Sequence, residues 1–436
     1  MSKSKTFLLV SLIFLLANFI WLLYFDSPKN QDFEYGKFYT FQGKVTSRDK
    51  KINGWNLIVE PSDLPKFSGK ILMYSPLYPE YQYGEIMELA CKIYQPEPIV
   101  DEVGKTFFYD KYLAKDDIYA TCYRPRIKRL SQDKDVAYYL FSAKDYFWQN
   151  LNDYLVEPAS SLSKAILLAT RREVMPELRD SFARVGLSHM IAISGLHMAI
   201  IVWLLQSFLL GVGLSRKVSF LFLLGILFVY LYLIGFPSSA VRASAMVAIV
   251  MLGPFLGRST TSVYSLLLVA DLFVLVNPHL LLYDIGFQLS FLAVLGLIFY
   301  IKFFNKVLVF IPRKFKIREV VSVTMAAQVF TWPLIIYYFN IFSIIAPLAN
   351  LLILPLLPIV LVLSLVLALL GFWPLMASIF AWPLFIVLKI IVGVADFLSR
   401  VPYAYFEVKD FPLTFLILSF IFMIIITFIL KPQNYE

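Results

Sequence analysis

The 436-residue chain is 59% hydrophobic and only 16% charged, with a mean hydropathy of +0.72, more apolar surface than a water-facing fold can bury, which excludes an ordinary soluble enzyme. The charges are segregated: of 69 Asp, Glu, Lys and Arg residues, 45 lie between Asp26 and Asp180 and only 22 serve the last 256 residues. A soluble part of ordinary polarity is joined to a larger part that lives in lipid.

Phe7 to Phe25 opens the chain with nineteen residues in which Asn18 is the one strongly polar member. That is long enough to span a bilayer, which needs roughly 20 residues. No small-residue cleavage site follows, so residues 1–25 read as an uncleaved anchor with Lys3 and Lys5 on the cytoplasmic side.

Residues 26–132 carry five candidate strands at 37–47, 55–60, 70–75, 85–94 and 118–124. Turn signals separate them at Asn53-Gly54, Ser68-Gly69, Tyr83-Gly84 and Pro96/Pro98. Five strands over about 95 residues suit a small OB-type β-barrel. Aromatic side chains are dense here (Tyr35, Tyr39, Trp55, Tyr74, Tyr78, Tyr81 and Tyr83). They can stack single-stranded bases or pack cores and interfaces. The near balance of 22 basic and 23 acidic residues over 26–180 lacks the electrostatic footprint of a nucleic-acid binder and weights the second reading. Both cysteines, Cys91 and Cys122, fall in this segment. They pair as a structural disulfide if it faces an oxidising compartment, and stay two buried thiols otherwise.

Residues 133–188 read as amphipathic, interfacial helices. Leu162, Ala165, Ile166 and Ala169 recur at helical spacing beside Lys164, Arg171 and Arg172, a pattern that suits the interface plane or packing on the bundle.

Residues 189–436 hold the expected spans at 190–212, 218–235, 240–256, 262–276, 285–303, 319–340, 342–370, 375–398 and 411–430. With the anchor these make about ten, which puts both termini in the cytoplasm and residues 26–188 outside it. The cationic loops at Arg216/Lys217, Arg258 and the run Lys302, Lys306, Arg313, Lys314, Lys316, Arg318 then all fall inside, as the positive-inside rule requires. The net charge of +9 therefore reflects membrane orientation rather than affinity for nucleic acid. Pro347, Pro355 and Pro358 break the 342–370 span. Such a break is tolerated at membrane depth where it lines a cavity or packs in protein. The small-residue stretch 236–246, FPSSAVRASAM, has the same character. The fold class is a polytopic α-helical membrane protein with a small extracytoplasmic OB-type β-barrel domain.

His189, His197, Arg242, Asp271, Asp284, Lys389 and Asp396 fall within or beside spans, where a charge costs about 2.5–3.5 kcal/mol at a helix centre and is expected to be paired or functional. Arg242 and Asp284 can neutralise one another. Asp271, Lys389 and Asp396 lie near span ends, where snorkelling suffices. HMIAISGLH, residues 189–197, puts Ser194 and His197 on one helical face. That invites a serine-hydrolase reading, but Ala192 and Ile193 stand where a rhomboid-type nucleophile motif has glycine, and no catalytic residue is assigned. Three histidines without a neighbouring acidic cluster argue against a metal site; no cofactor is expected.

HMIAISGLH resembles the HLLAISGLH-type signature of the ComEC family of DNA-uptake channels used in natural transformation. Two further stretches match that family in order. Pro237, Ser238, Arg242, Ala243 and Met246 carry its Pro-Ser-x-x-Arg-Ala-x-x-Met segment. Asn277, Pro278, Asp284, Gly286, Phe287, Gln288, Leu289 and Ser290 carry its Asn-Pro…Asp-x-Gly-Phe-Gln-Leu-Ser segment. The proline-rich APLANLLILPLLP and, upstream, FFYDKYLAKDDIYATCY also fit, so the resemblance covers nearly the whole chain. Many members continue into a metallo-β-lactamase-like domain; this chain resembles the short form without it.

The resemblance implies passage of single-stranded DNA across the cytoplasmic (inner) membrane. Arg242 is then the candidate phosphate contact, and His189, Ser194, His197, Ser238, Asp284, Gln288 and Ser290 line or brace the path. Gly195 and Gly286 permit close helix approach. Each of these side chains reads equally as glue between helices. Expected partners are single-stranded DNA, membrane lipids, an extracytoplasmic DNA receptor, and a cytoplasmic translocation motor or single-strand-binding protein, since nothing resembles a P-loop. The rival readings are a secondary transporter of a lipid-linked or anionic substrate and, less favoured, an intramembrane hydrolase.

Overall fold

The computed structural model describes residues 3–24, 30, 32–100, 106–255, 262–312, 316–408 and 411–430. Asp26, Arg258, Arg313 and Lys314 lie outside the described residues. Helix α1 (Lys3–Tyr24) leads into strands β1 (Phe38–Lys51), β2 (Gly54–Pro61), β3 (Lys70–Ser75) and β4 (Glu85–Tyr94). A short pair, β5 (Ile99–Val100) and β6 (Thr106–Phe107), precedes α2 (Tyr109–Ala114), β7 (Ile118–Tyr123) and β8 (Arg126–Gln132).

β1 serves two neighbours, pairing with β4 along residues 38–44 and with β2 along 43–51. It can do so because its register shifts between Val45 and Ser47, an irregularity that bends a strand. Gly43 stands at the crossing, where a Cβ would lie 2.5 Å from Val59 Cγ1. β2 pairs antiparallel with β3, β3 runs parallel to β7, and β7 returns to β4. The ring of pairings β1-β2-β3-β7-β4-β1 therefore closes, and β8 adds beside β4.

Inward-facing Phe41, Val45, Leu57, Ile71, Met87 and Leu89 fill the ring, the alternation that a half-buried strand demands. Cys91 and Cys122 meet inside it, Cα atoms 6.3 Å apart and sulfurs bonded. Trp55 and Tyr81 are buried, Tyr35 and Tyr39 pack against the core, Tyr74 stacks on Tyr123 and Tyr83 on Phe141. Of the aromatic residues singled out, Tyr78 is the exposed one. Sequence patterning missed β8, whose residues RIKRLSQ show no apolar alternation.

Four helices connect the β domain to the bundle: α3 (Val136–Tyr154), α4 (Ala159–Leu168), α5 (Pro176–Arg184) and α6 (Ser188–Ile191). Asp135 caps α3, its Oδ1 accepting from Tyr138 N at 2.9 Å. Every residue of α4 is buried, so this helix is packed by protein on all sides. Ser163 Oγ meets Ser364 Oγ at 2.8 Å, Asn150 Nδ2 donates to Ala368 O at 2.8 Å, and the Tyr154 hydroxyl donates to Gly371 O at 3.1 Å.

The remaining helices are α7 (Gly195–Gly211), α8 (Arg216–Ile234), α9 (Ser238–Phe255), α10 (Ser262–Val276), α11 (Leu280–Tyr283), α12 (Ile285–Val307), α13 (Ile317–Phe339), α14 (Ala346–Ile353), α15 (Leu357–Leu370), α16 (Pro374–Ser399) and α17 (Leu413–Leu430). Among the described residues, six stretches are long and apolar enough to cross a membrane: Thr6–Tyr24, Arg216–Ile234, Ile285–Phe310, Ile317–Phe339, Ala346–Leu370 and Pro374–Ser399. The other four expected spans are shorter apolar helices. Pro347 and Pro358 occupy the first turns of α14 and α15, and Pro355 sits in the 3-10 turn between them, where no internal donor is lost. Strands β9 (Ile341–Ser343) and β10 (Tyr405–Glu407) pair, which brings the C-terminal ends of α13 and α16 to one face.

Candidate functional site

A cavity of about 2050 Å³ lies between the β domain and the helices. One wall is β1, through Thr46, Arg48 and Lys50; the opposite wall is built where α7, α9 and α12 begin. Helix starts expose unpaired N–H groups and need caps. Ser194 caps α7, with His197 Nδ1 reaching back to 3.3 Å from the Ser194 N–H and 2.9 Å from its Oγ. This is a capping box in which histidine stands for the usual Glu. Ser239 donates to Ile193 O and ties the start of α9 to the same link. Asp284 caps α12, its Oδ1 accepting from Phe287 N at 2.9 Å.

Arg242, in the first turns of α9, is fully buried, and none of its three nitrogens has a hydrogen-bond partner. Its guanidinium lies 5.6 Å from the Phe287 ring centroid. Asp284 Oδ2 is 3.9 Å from Arg242 Nη1 and also 3.9 Å from Nζ of Lys115, at the end of α2. Neither distance is a hydrogen bond. The Asn277 amide donates to Lys115 O at 2.8 Å and fixes that end of the β domain against the helices. Burial works against the Lys115 ammonium, but Asp116, Tyr112 and Asp284 outweigh it and hold its pKa above the ordinary lysine value.

His189, Ser194, Gly195, Ser238, Arg242, Asp284 and Ser290 line the cavity. His197 and Gln288 do not. His197 is fully buried beneath the α7 cap, and Gln288 Nε2 donates to Leu281 O and Leu282 O at the end of α11. Gly286 does permit a close approach: a Cβ there would lie 3.0 Å from Asp284 Oδ1 and 3.4 Å from Arg242 Nη2. Gly195 does not, since its Cβ would meet only Ala243 Cβ at 3.8 Å. The closer helix crossing is at Gly296 of α12, where a Cβ would lie 2.2 Å from Ala326 O of α13.

Among the other ionisable residues, Asp396 pairs with Arg400 at 2.8 Å at the end of α16. Asp271, in α10, faces Ser11 of α1. Sequence reasoning missed Lys115, and also a polar stripe of Thr324, Gln328 and Thr331 that lines the cavity from α13. The stripe was visible as an i, i+4, i+7 pattern on an apolar helix; Lys115 becomes apparent only through docking.

Among the described residues, nine cationic and nine acidic side chains line the cavity. On the β-domain side they are largely paired: Arg48 with Asp145, Asp49 with Arg172 at 2.9 Å, and Lys50 with Glu80 at 3.7 Å. Burial pushes Lys144 of α3 down to about 8, against the pull of Asp49 and Asp145. Burial also raises Asp49 and Asp145 above the usual carboxylate range. Among the described residues, no group of three or more His, Cys, Asp or Glu is placed to hold a metal ion.

A bundle of apolar helices with a polar, cavity-lining interior and a separate β domain defines a polytopic membrane protein. A family model described as "Competence protein" matches residues 166–433, and the chain belongs to that family. ComE operon protein 3 of Bacillus subtilis (strain 168) is 26% identical over 321 residues, 72% of this chain and 40% of that protein. An uncharacterized protein of Aquifex aeolicus (strain VF5) is 27% identical over 192 residues, 44% of each chain. The matched regions thus span under half the length of these relatives. No solved structure matches.

Proposed function

We propose that the chain carries single-stranded DNA across the cytoplasmic membrane during natural transformation, as a channel rather than an enzyme. The observation that supports this best is the continuous cavity from the charged face of β1 to the helix starts around Arg242, in a chain of the competence family. A polyanion needs a path lined by polar and cationic groups instead of hydrocarbon. His189, Ser194, Ser238, Arg242, Asp284 and Ser290 form its inner stretch, with Thr324, Gln328 and Thr331 beyond. The strand order, with β3 parallel to β7, favours an OB-type barrel.

Ten passes, with the β domain outside and both termini inside, agree with the cations at Arg216, Lys217, Lys302, Lys306, Lys316 and Arg318. The pairing of β9 with β10 fits the same parity. An outside face also suits the Cys91–Cys122 bond. Partners would be a DNA receptor outside and a motor or single-strand-binding protein inside.

The equal number of acidic and cationic lining residues favours, as a second reading, a carrier of a smaller anionic substrate. A gene deletion supplied with fluorescent duplex DNA separates the two. The channel reading expects label stalled outside the cytoplasmic membrane and transformants lost. Normal transformation, with label inside, refutes it and leaves the carrier.

A further inference from the structure

A buried polar group without a partner calls for a physical reason, and Arg242 is the largest fully buried side chain among the described residues. Its guanidinium offers five N–H donors in a planar fork, and Nε, Nη1 and Nη2 are all unbonded. The carboxylate beside it does not use them. Asp284 Oδ1 is committed to the α12 cap, while Oδ2 has no hydrogen bond and stands 3.9 Å from both Arg242 and Lys115. Lys115 gives one donor to Asp116 Oδ2 at 2.8 Å, and Asp284 stands near both cations without taking a hydrogen bond from either. Gly286 leaves the room that this carboxylate and guanidinium occupy, since a Cβ there would lie 3.0 Å from Asp284 Oδ1 and 3.4 Å from Arg242 Nη2. All four residues line the same cavity.

We propose that Lys115 and Arg242 form a two-cation site for a phosphodiester group at the junction of the β domain and the bundle, with Asp284 as the internal anion that the phosphodiester displaces. The proposal deepens the DNA-path reading and rests on it for choosing a nucleic-acid strand over a lipid headgroup, which carries the same group. Two phosphodiester oxygens match the guanidinium fork. One cation comes from each part of the protein, so a bound phosphodiester bridges them. Asp284 keeps the site weak, and a strand in transit must leave as readily as it arrives.

The test uses the purified full chain in nanodiscs and the fluorescence anisotropy of a short labelled oligothymidylate over a salt series. Asp284→Asn keeps shape and removes the competing charge, so affinity should rise about fivefold or more. Lys115→Gln and Arg242→Gln should weaken binding and each lower the log–log salt slope by about 0.7, one phosphate contact on a single strand. Thermal unfolding is the control for each variant; if Arg242→Gln is unfolded, Asp284→Asn and Lys115→Gln carry the test. Unchanged or weaker binding in Asp284→Asn, with an unaltered slope in Lys115→Gln, overturns the site and makes the three residues a structural ion network. A gain that appears only toward phosphatidylglycerol, in anionic against neutral nanodiscs, makes it a lipid site and overturns the nucleic-acid assignment. Normal transformation by a deletion strain sinks the DNA-path reading, whereas the oligothymidylate result decides the site.

Discussion

Two of the cations buried among the described residues, Lys164 and Arg242, are held in opposite ways. Lys164, 2% exposed in α4, contacts Glu173 Oε2 and Asn152 Oδ1 at 3.1 Å each and lies 4.3 Å from the Trp148 ring centroid. Trp148 Nε1 in turn donates to Glu173 at 2.8 Å, and Lys50 of β1 lies 4.8 Å from the same ring. Arg242 is also buried, yet none of its own guanidinium donors is satisfied. The α3–α4 region is closed in the sense that Lys164 and Glu173 satisfy one another; the region where α7, α9 and α12 begin is open in the sense that the buried Arg242 donors have no partner, and both regions border the same cavity. Burial of a charge therefore does not by itself mark a functional site. What separates the two is whether the surrounding structure satisfies the charge.

The largest effect expected from this contrast is on stability at the closed region. Glu173→Gln removes the nearer carboxylate of the buried Lys164 ammonium and leaves only Glu157 at 3.9 Å; breaking a buried pair costs about 3–5 kcal/mol. Denaturant unfolding in detergent should show that loss, while Arg242→Gln, which has no hydrogen bond to lose, should shift unfolding far less and abolish transformation. Equal destabilisation by the two would erase the contrast. Two glycines extend it. A Cβ on Gly371 would lie 2.0 Å from Asn150 Cγ, so Gly371→Ala must push Asn150 off Ala368 O, an overpacking cost of about 1–3 kcal/mol. Gly195→Ala, with nothing nearer than 3.8 Å, should be close to neutral. A cost at Gly195 comparable to that at Gly371 would mean that the open region is as tightly packed as the closed one.

Much of this was legible in the residues, for reasons that differ by region. Strand β4 (Glu85–Tyr94) matches its expected limits because alternation of period two is a local signal. The proline-broken helix was legible because a missing N–H is a property of one residue. Ser194 lines the cavity, while its partner His197 is buried beneath it and braces the cap. Spacing of three puts two side chains on one face without saying which of them reaches the cavity. Lys115, some 127 residues before Arg242 in the chain, and the full burial of α4 both depend on docking between distant segments, and no local pattern records that.

Lys144 lies on the boundary between the two regions and offers a smaller, pH-dependent test. Asp49, Asp145 and Glu173 favour its charged form, Arg48 opposes it, and burial dominates, setting its pKa at about 8 against 10.5 for an ordinary lysine. Between those values the unfolded chain binds more protons, so stability should rise as pH increases from about 8 to 10.5. Over the same range the cavity loses a positive charge, and oligothymidylate affinity should fall. Lys144→Met should flatten both trends; a wild-type stability curve without a rise in that window would place Lys144 in water.

The smallest effect is at Ser194. As a cap and nothing more, Ser194→Ala should cost about 0.5–2 kcal/mol of stability and leave transformation frequency within a few-fold of wild type, because the Oγ hydrogen bond to His197 Nδ1 closes a helix end and moves no proton to a substrate. His197→Gln, which keeps an acceptor able to reach the Ser194 N–H, should restore more of the stability than His197→Ala. If instead Ser194→Ala abolishes uptake with unfolding unchanged, the Ser–His pair is chemistry, and the α7 start has to be read as a nucleophile and its base.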